Sequence, residues 1–115
     1  MIREIDIWEY AKSRSEGDLV VDLREPYLYQ YGTIPGAVNI PIDQIQQLYQ
    51  LPKDRDIYVF CQAGEFSGEV VEILSDNGCS AYNLTGGYRE YLRRSLEESG
   101  DSVGSVRPAG AGAAE

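Results

Sequence analysis

At 115 residues, with 43% hydrophobic and 25% charged side chains, the chain has the size and balance of one globular domain that can bury a core without disulfide staples. Its net charge of −9 excludes the basic footprint that nucleic acid or an anionic membrane surface requires, and no apolar run approaches the roughly 20 residues that cross a bilayer. With no histidine present, a Ser-His-Asp triad, a Cys-His dyad and any histidine metal site are excluded, so chemistry falls to cysteine or to carboxylates.

The opening MIREIDIWEY lacks the basic start, long apolar stretch and small-residue cleavage site of a secretory signal. Ile7 to Ser15 then reads as a helix, and Leu19-Val20-Val21 as a strand buried on both faces. Pro26 to Tyr31 reads as a second helix, Ala37 to Ile40 as a weaker strand and Ile42 to Tyr49 as a third helix. Ile57-Tyr58-Val59-Phe60 is another doubly buried strand. Ser67 to Asn77 follows as a helix, with Val70, Val71, Ile73 and Leu74 as its apolar face and Gly78 as its stop. Ala81 to Leu84 and Tyr88 to Glu98 close the series as strand and helix. Strands alternating with helices predict an α/β fold with a mainly parallel sheet, in which ligands gather beyond the carboxyl ends of the strands. From Ser99 onward, SGDSVGSVRPAGAGAAE is rich in Gly, Ala and Ser. It holds too little apolar surface to offset its ordering entropy, which predicts a domain over 1–98 and a disordered tail or linker over 99–115.

Two cysteines, Cys61 and Cys79, are too few for a disulfide framework and form no CxxC pair. A reducing cytoplasm is therefore the expected setting, and a structural zinc site is not expected. Cys61 closes the strand Ile57–Phe60 and precedes Gln62-Ala63-Gly64-Glu65-Phe66-Ser67-Gly68 and a helix. Such a thiol faces backbone N–H groups and the positive end of a helix dipole, both of which favour a thiolate or persulfide anion. Gly64 and Gly68 would let the loop curl. Read from this pattern alone, Cys61 is either that reactive group or a small buried hydrophobe. Cys79, directly after Gly78, reads as structural, with a resolving thiol as the minor alternative.

The segments VVDLREP, GTIPGAVNIP, LPKDRDIYVFCQAGEFS, LSDNG and YNLTGGY, spread over residues 20–88, are together similar to the rhodanese-like superfamily in order and spacing. The resemblance implies a mainly parallel five-stranded sheet flanked by helices on both faces. It places the active-site cysteine on Cys61 and the sulfur cradle on Gln62, Ala63, Gly64, Glu65, Phe66 and Ser67. The Cys61-Gln62 start of the loop and the run Asn83 to Tyr88 further resemble the rhodanese domain appended to flavin-dependent CoA-disulfide and persulfide reductases. Family members active on thiosulfate commonly carry Arg or Lys just after the cysteine and again five positions after it. Those positions here hold Gln62 and Phe66, Glu65 adds an anion, and Thr33 replaces the histidine of the family's GHIPGA segment.

The function that follows is sulfur transfer or relay through a Cys61 persulfide, from a sulfane-sulfur donor to a thiol acceptor. The donor and acceptor would be small molecules or protein persulfides, with a flavoprotein reductase or a sulfur carrier as candidate partner. No cofactor and no metal are expected. A non-catalytic rhodanese module serving interaction or regulation is the alternative that the missing loop cations keep open. A phosphatase of the related cysteine class would need Arg six positions beyond the cysteine, where Ser67 stands. Asp22, Arg24 and Glu25 read as a charged network bracing the loop after the first strand or as substrate groups. Gly86-Gly87 reads as a site of close backbone approach to the Cys61 loop rather than of phosphate binding, since it lacks the spacing of a dinucleotide motif. At least one of Tyr27, Tyr29 and Tyr31 should be exposed and available to a partner surface.

Overall fold

A computed structural model of the chain describes residues 2–98. The tail expected over 99–115 lies outside the described residues. The two strongest apolar runs form β2 (Leu19–Asp22) and β4 (Asp56–Phe60), which pair in parallel in the middle of a five-stranded sheet. On one side β4 pairs with β5 (Ser80–Thr85), and β5 with β1 (Glu4–Asp6). On the other side β2 pairs with β3 (Val38–Asn39), so the order is β1-β5-β4-β2-β3 and every pairing is parallel. Successive residues of a strand point to opposite faces. Ile57 and Val59 thus enter one apolar cluster with Val70, Val71 and Leu74 of α3 (Ser67–Asp76). Phe60 enters the other cluster with Ile7 and Tyr10 of α1 (Ile7–Ser13) and Tyr88 of α4 (Gly87–Glu98). Helices therefore cover both faces, as a parallel sheet requires.

Three elements differ from the sequence reading. β1 was not expected from residue pattern: it is a short edge strand with exposed Glu4 and no apolar run. Ile42–Gln50 is a 3₁₀ segment rather than an α-helix, with a kink at Gln44. Its apolar residues Ile42, Ile45 and Leu48 recur every third position, which is the repeat that aligns side chains on a three-residue turn. The first helix ends at Ser13 instead of Ser15, because Arg14 already has extended dihedrals. α2 (Pro26–Tyr31) buries none of its side chains fully, and Tyr27 and Tyr31 are exposed while Tyr29 donates its hydroxyl to the Ala37 carbonyl at 2.8 Å. No helix among the described residues is long and apolar enough to cross a membrane.

A tyrosine stack crosses the α1/α4 face: Tyr10 and Tyr58 lie 4.2 Å apart and Tyr58 and Tyr82 4.9 Å apart, ring centre to ring centre. Burial, followed by the nearby Asp18 and Asp56 carboxylates, pushes the Tyr58 hydroxyl from its ordinary 10 up to about 12. A raised folded-state value means that the fold holds this proton more tightly than the unfolded chain does. The associated stability is complete below pH 10 and is lost as pH rises towards about 12. Tyr58→Phe, which has no proton to lose, should show a shallower alkaline loss of the urea midpoint than wild type. Parallel curves for the two proteins would show that Tyr58 does not contribute to alkaline unfolding.

Candidate active site

β4 is the central strand, and Cys61 is the first residue beyond its carboxyl end. It continues the alternation of Ile57 and Val59, so its side chain turns towards the α3 face and is only 4% exposed. The chain then curls through Gln62–Phe66 into α3. The Sγ atom accepts hydrogen bonds from the backbone N–H groups of Gly64, at 3.2 Å, and Phe66, at 3.4 Å. Two oxygens are in reach of the thiol's single proton, Ser67 Oγ at 3.7 Å and Glu65 Oε1 at 3.8 Å. Sulfur thus sits where two backbone donors and the amino end of a ten-residue helix converge.

The curl is held from behind. The carbonyls of Cys61 and Gln62 accept from the backbone N–H groups of Tyr88, at 2.9 Å, and Arg89, at 3.0 Å, in the first turn of α4. That approach needs Gly87, which has φ +69° and where a Cβ would lie 2.6 Å from the Gln62 oxygen. The expectation that Gly86-Gly87 serves close backbone approach is met. Gly64, at φ +90°, takes a left-handed conformation within the loop. Gly68 does not share that role, since it lies within α3 and has no positive φ.

Beneath the sulfur, Ser67 is fully buried and donates to Asn83 Oδ1, while Asn83 donates to Glu4 Oε2 at 3.2 Å. To the side, Asp22 and Arg24 form a buried ion pair with a 2.8 Å contact. Asp22 also accepts from the Arg24 backbone N–H and from Thr33 Oγ1, each at 2.9 Å. Arg24 donates to the Gly32 carbonyl and, at 3.4 Å, to Gln62 Oε1, and its guanidinium lies 4.0 Å from the Tyr88 ring centre. The pair therefore braces the loops around the cysteine, as one of the two sequence readings held. Glu25 does not join that network and stands exposed.

Above Cys61 opens a cavity of about 300 Å³. Of the predicted loop, Cys61, Gln62, Glu65 and Phe66 line it, whereas Ala63, Gly64 and Ser67 do not. Its other walls are Leu23, Arg24 and Glu25 after β2, Tyr27 and Leu28 of α2, and Ile42. Sequence reading missed Leu23, Leu28, Ile42 and Asn83 as parts of the site, since their side chains converge only through the sheet order. Cys79 is buried in the same apolar cluster as Cys61, with its backbone N–H bonded to the Leu74 carbonyl at the end of α3. Among the described residues no group of three His, Cys, Asp or Glu side chains is placed to hold a metal.

This architecture matches a known one: the rhodanese-like domain family covers residues 8–94. The chain belongs to that family. A sulfurtransferase of Allochromatium vinosum is 32% identical over 100 residues, spanning 84% of this chain and 94% of that one. An uncharacterized Bacillus subtilis protein is 38% identical over 74 residues, 63% of this chain and 59% of its own length. Among solved rhodanese-like folds, the structure of reduced CoADR-RHD from Bacillus anthracis superposes with a TM-score of 0.74 at 31% identity. That match covers 84% of this chain and 17% of the other, in line with the resemblance to an appended rhodanese domain.

Proposed function

We propose that the chain is a sulfurtransferase that carries sulfane sulfur as a persulfide on Cys61. At the level of the family, the sulfurtransferase of A. vinosum supports a sulfurtransferase-type function. The observation that carries the finer reading is the Sγ atom of Cys61, which accepts two backbone N–H bonds at the base of a cavity. A donor persulfide R–S–SH is attacked at its outer sulfur by the Cys61 thiolate. The donor S–S bond breaks, R–S⁻ leaves, and Cys61–S–SH forms. An acceptor thiolate then attacks the outer sulfur, takes it as R′–S–SH and returns Cys61 to the thiolate. Neither step needs a metal or a redox cofactor, because one S–S bond is exchanged for another. Gln62, Glu65 and Phe66 are the loop residues that would meet substrate, while Ala63, Gly64 and Ser67 shape the cradle. A flavoprotein reductase or a sulfur carrier would supply or receive the sulfur, in a compartment that keeps both thiols reduced.

A loop without cations is what a purely interacting module would also show. The retained thiol and its two donors favour transfer. Cys61→Ser should abolish cyanide-releasable sulfur after exposure to glutathione persulfide, whereas Cys79→Ser should leave it nearly intact. Equal loss in both variants would place the labile sulfur elsewhere.

A further inference from the structure

The cavity over Cys61 has an apolar wall and an acidic rim, and both exceed what holding one sulfur atom requires. Among the described residues six large apolar side chains are exposed, and three of them, Tyr27, Ile42 and Phe66, line this cavity at 58, 42 and 54% exposure. The depression does not end there. Glu25, Tyr27 and Ile42 also border an adjoining hollow of about 270 Å³, whose remaining walls are Pro26, Pro41 and Asp43. The two hollows adjoin across these three shared side chains and are taken together as one groove, with Cys61 lining the first of them.

The exposed charge of this groove has one sign. Glu25, Asp43 and Glu65 are all exposed along it. Among the described residues Arg24 is the only cationic one lining either hollow, and it is 6% exposed and bound to Asp22. Exposed aromatic and branched anchors within a polar rim are the features of a protein-binding patch. A small anionic thiol would cover little of the groove and would be repelled by its rim, whereas a cationic chain segment would be drawn to it.

We infer that the groove receives a partner protein whose acceptor cysteine projects from an exposed segment bearing Lys or Arg beside an apolar residue. This rests on Cys61 as the sulfur carrier. The partner's thiolate attacks the outer sulfur of Cys61–S–SH, its new S–S bond forms as the Cys61 bond breaks, and Cys61 leaves as the thiolate. The apolar neighbour packs between Tyr27, Ile42 and Phe66, and the basic neighbours face Glu25, Asp43 and Glu65.

The test uses the full chain, loaded with glutathione persulfide, and two short peptides with a central cysteine and a leucine, flanked either by lysines or by glutamates. Transfer rates to each are divided by the rates at which the same peptides take sulfur directly from glutathione persulfide, which removes the difference in intrinsic thiol reactivity. The corrected preference for the lysine peptide should be about tenfold and should shrink in high salt. It should reverse in Glu25→Lys/Glu65→Lys and persist in Glu72→Lys/Asp76→Lys, an equal charge change on α3 outside the groove. Cysteine-to-serine versions of both peptides, followed by fluorescence anisotropy, report docking without sulfur transfer and should show the same order. Normal loading of Cys61 with a corrected ratio near one in all three proteins would overturn the inference and leave the sulfur-carrier reading standing. Failure of Cys61 to load would overturn that reading and the inference with it. Failure of the serine-containing lysine peptide to bind would overturn the inference alone.

Discussion

Asp22→Ala is expected to lower the stability of the domain by about 3–5 kcal/mol, the range for removing one partner of a buried ion pair. The side chains of Asp22 and Arg24 are 0% and 3% exposed, so the guanidinium left behind would be charged, nearly buried and without its counter-ion. The lost carboxylate also strands the Arg24 backbone N–H and the Thr33 hydroxyl, which both donate to it. Small domains are stable by only about 5–15 kcal/mol in total. A loss of this size would therefore leave a visibly fragile protein at room temperature. Adding Arg24→Met should recover much of the loss, because no unpaired charge then remains inside. Urea midpoints of the two single variants and the double variant measure the coupling. An Asp22→Ala protein within about 1 kcal/mol of wild type would show that Arg24 escapes into the cavity it lines and finds water there.

The core of the fold was legible because its signals are local. β2 and β4 announce themselves as unbroken apolar runs, Leu19–Val21 and Ile57–Phe60, and α3 as a helix with an apolar stripe, since burial on both faces or on one stripe dictates those patterns. β1 carried no such signal: with two acidic residues in three and pairing only to β5, it is fixed by its neighbour's backbone. The resemblance to rhodanese-like chains supplied the fifth strand that residue pattern did not. At the site, the position of Cys61 and the close approach at Gly87 were readable, because strand-end, loop and glycine sit within short stretches of chain. The cavity was not. The sequence offers Tyr27, Tyr29 and Tyr31 together as a partner surface without telling which of them meets the thiol, and Ile42 reads only as the start of a helix. Their convergence over the thiol depends on β2 lying next to β4. Arg24 illustrates the same limit, since its identity as a brace depends on contacts with Gly32 and Gln62 that lie eight and thirty-eight positions away.

Wild-type protein should prefer a thiol-borne persulfide to thiosulfate by roughly ten- to a hundredfold in kcat/KM, and Phe66→Arg should recover much of the deficit. The loop from Gln62 to Ser67 holds no cation, and the Glu65 carboxylate lies 3.8 Å from the sulfur. An entering sulfonate meets the backbone donors of Gly64 and Phe66 and the end of α3. A helix-end interaction is typically worth about 0.3–1 kcal/mol, against about 1.5–3 kcal/mol for charge-assisted hydrogen bonds. Each 1.4 kcal/mol or so is tenfold in rate, which sets the size of the expected gap. Arg24 does not close it, because its guanidinium is held by Asp22 and by the Gly32 carbonyl. Phe66 is the position to change: it is 54% exposed, lines the cavity with Cys61, and serves α3 as a cap without any side-chain hydrogen bond. An arginine there can reach the cavity without vacating the core. Rates with thiosulfate and with glutathione persulfide, measured for wild type and Phe66→Arg, decide the matter. Equal use of the two donors by wild type, with no gain for Phe66→Arg, would mean that loop charge does not set the donor. The sulfonate would then have to draw Arg24 away from Asp22, and thiosulfate turnover would track the strength of that buried pair.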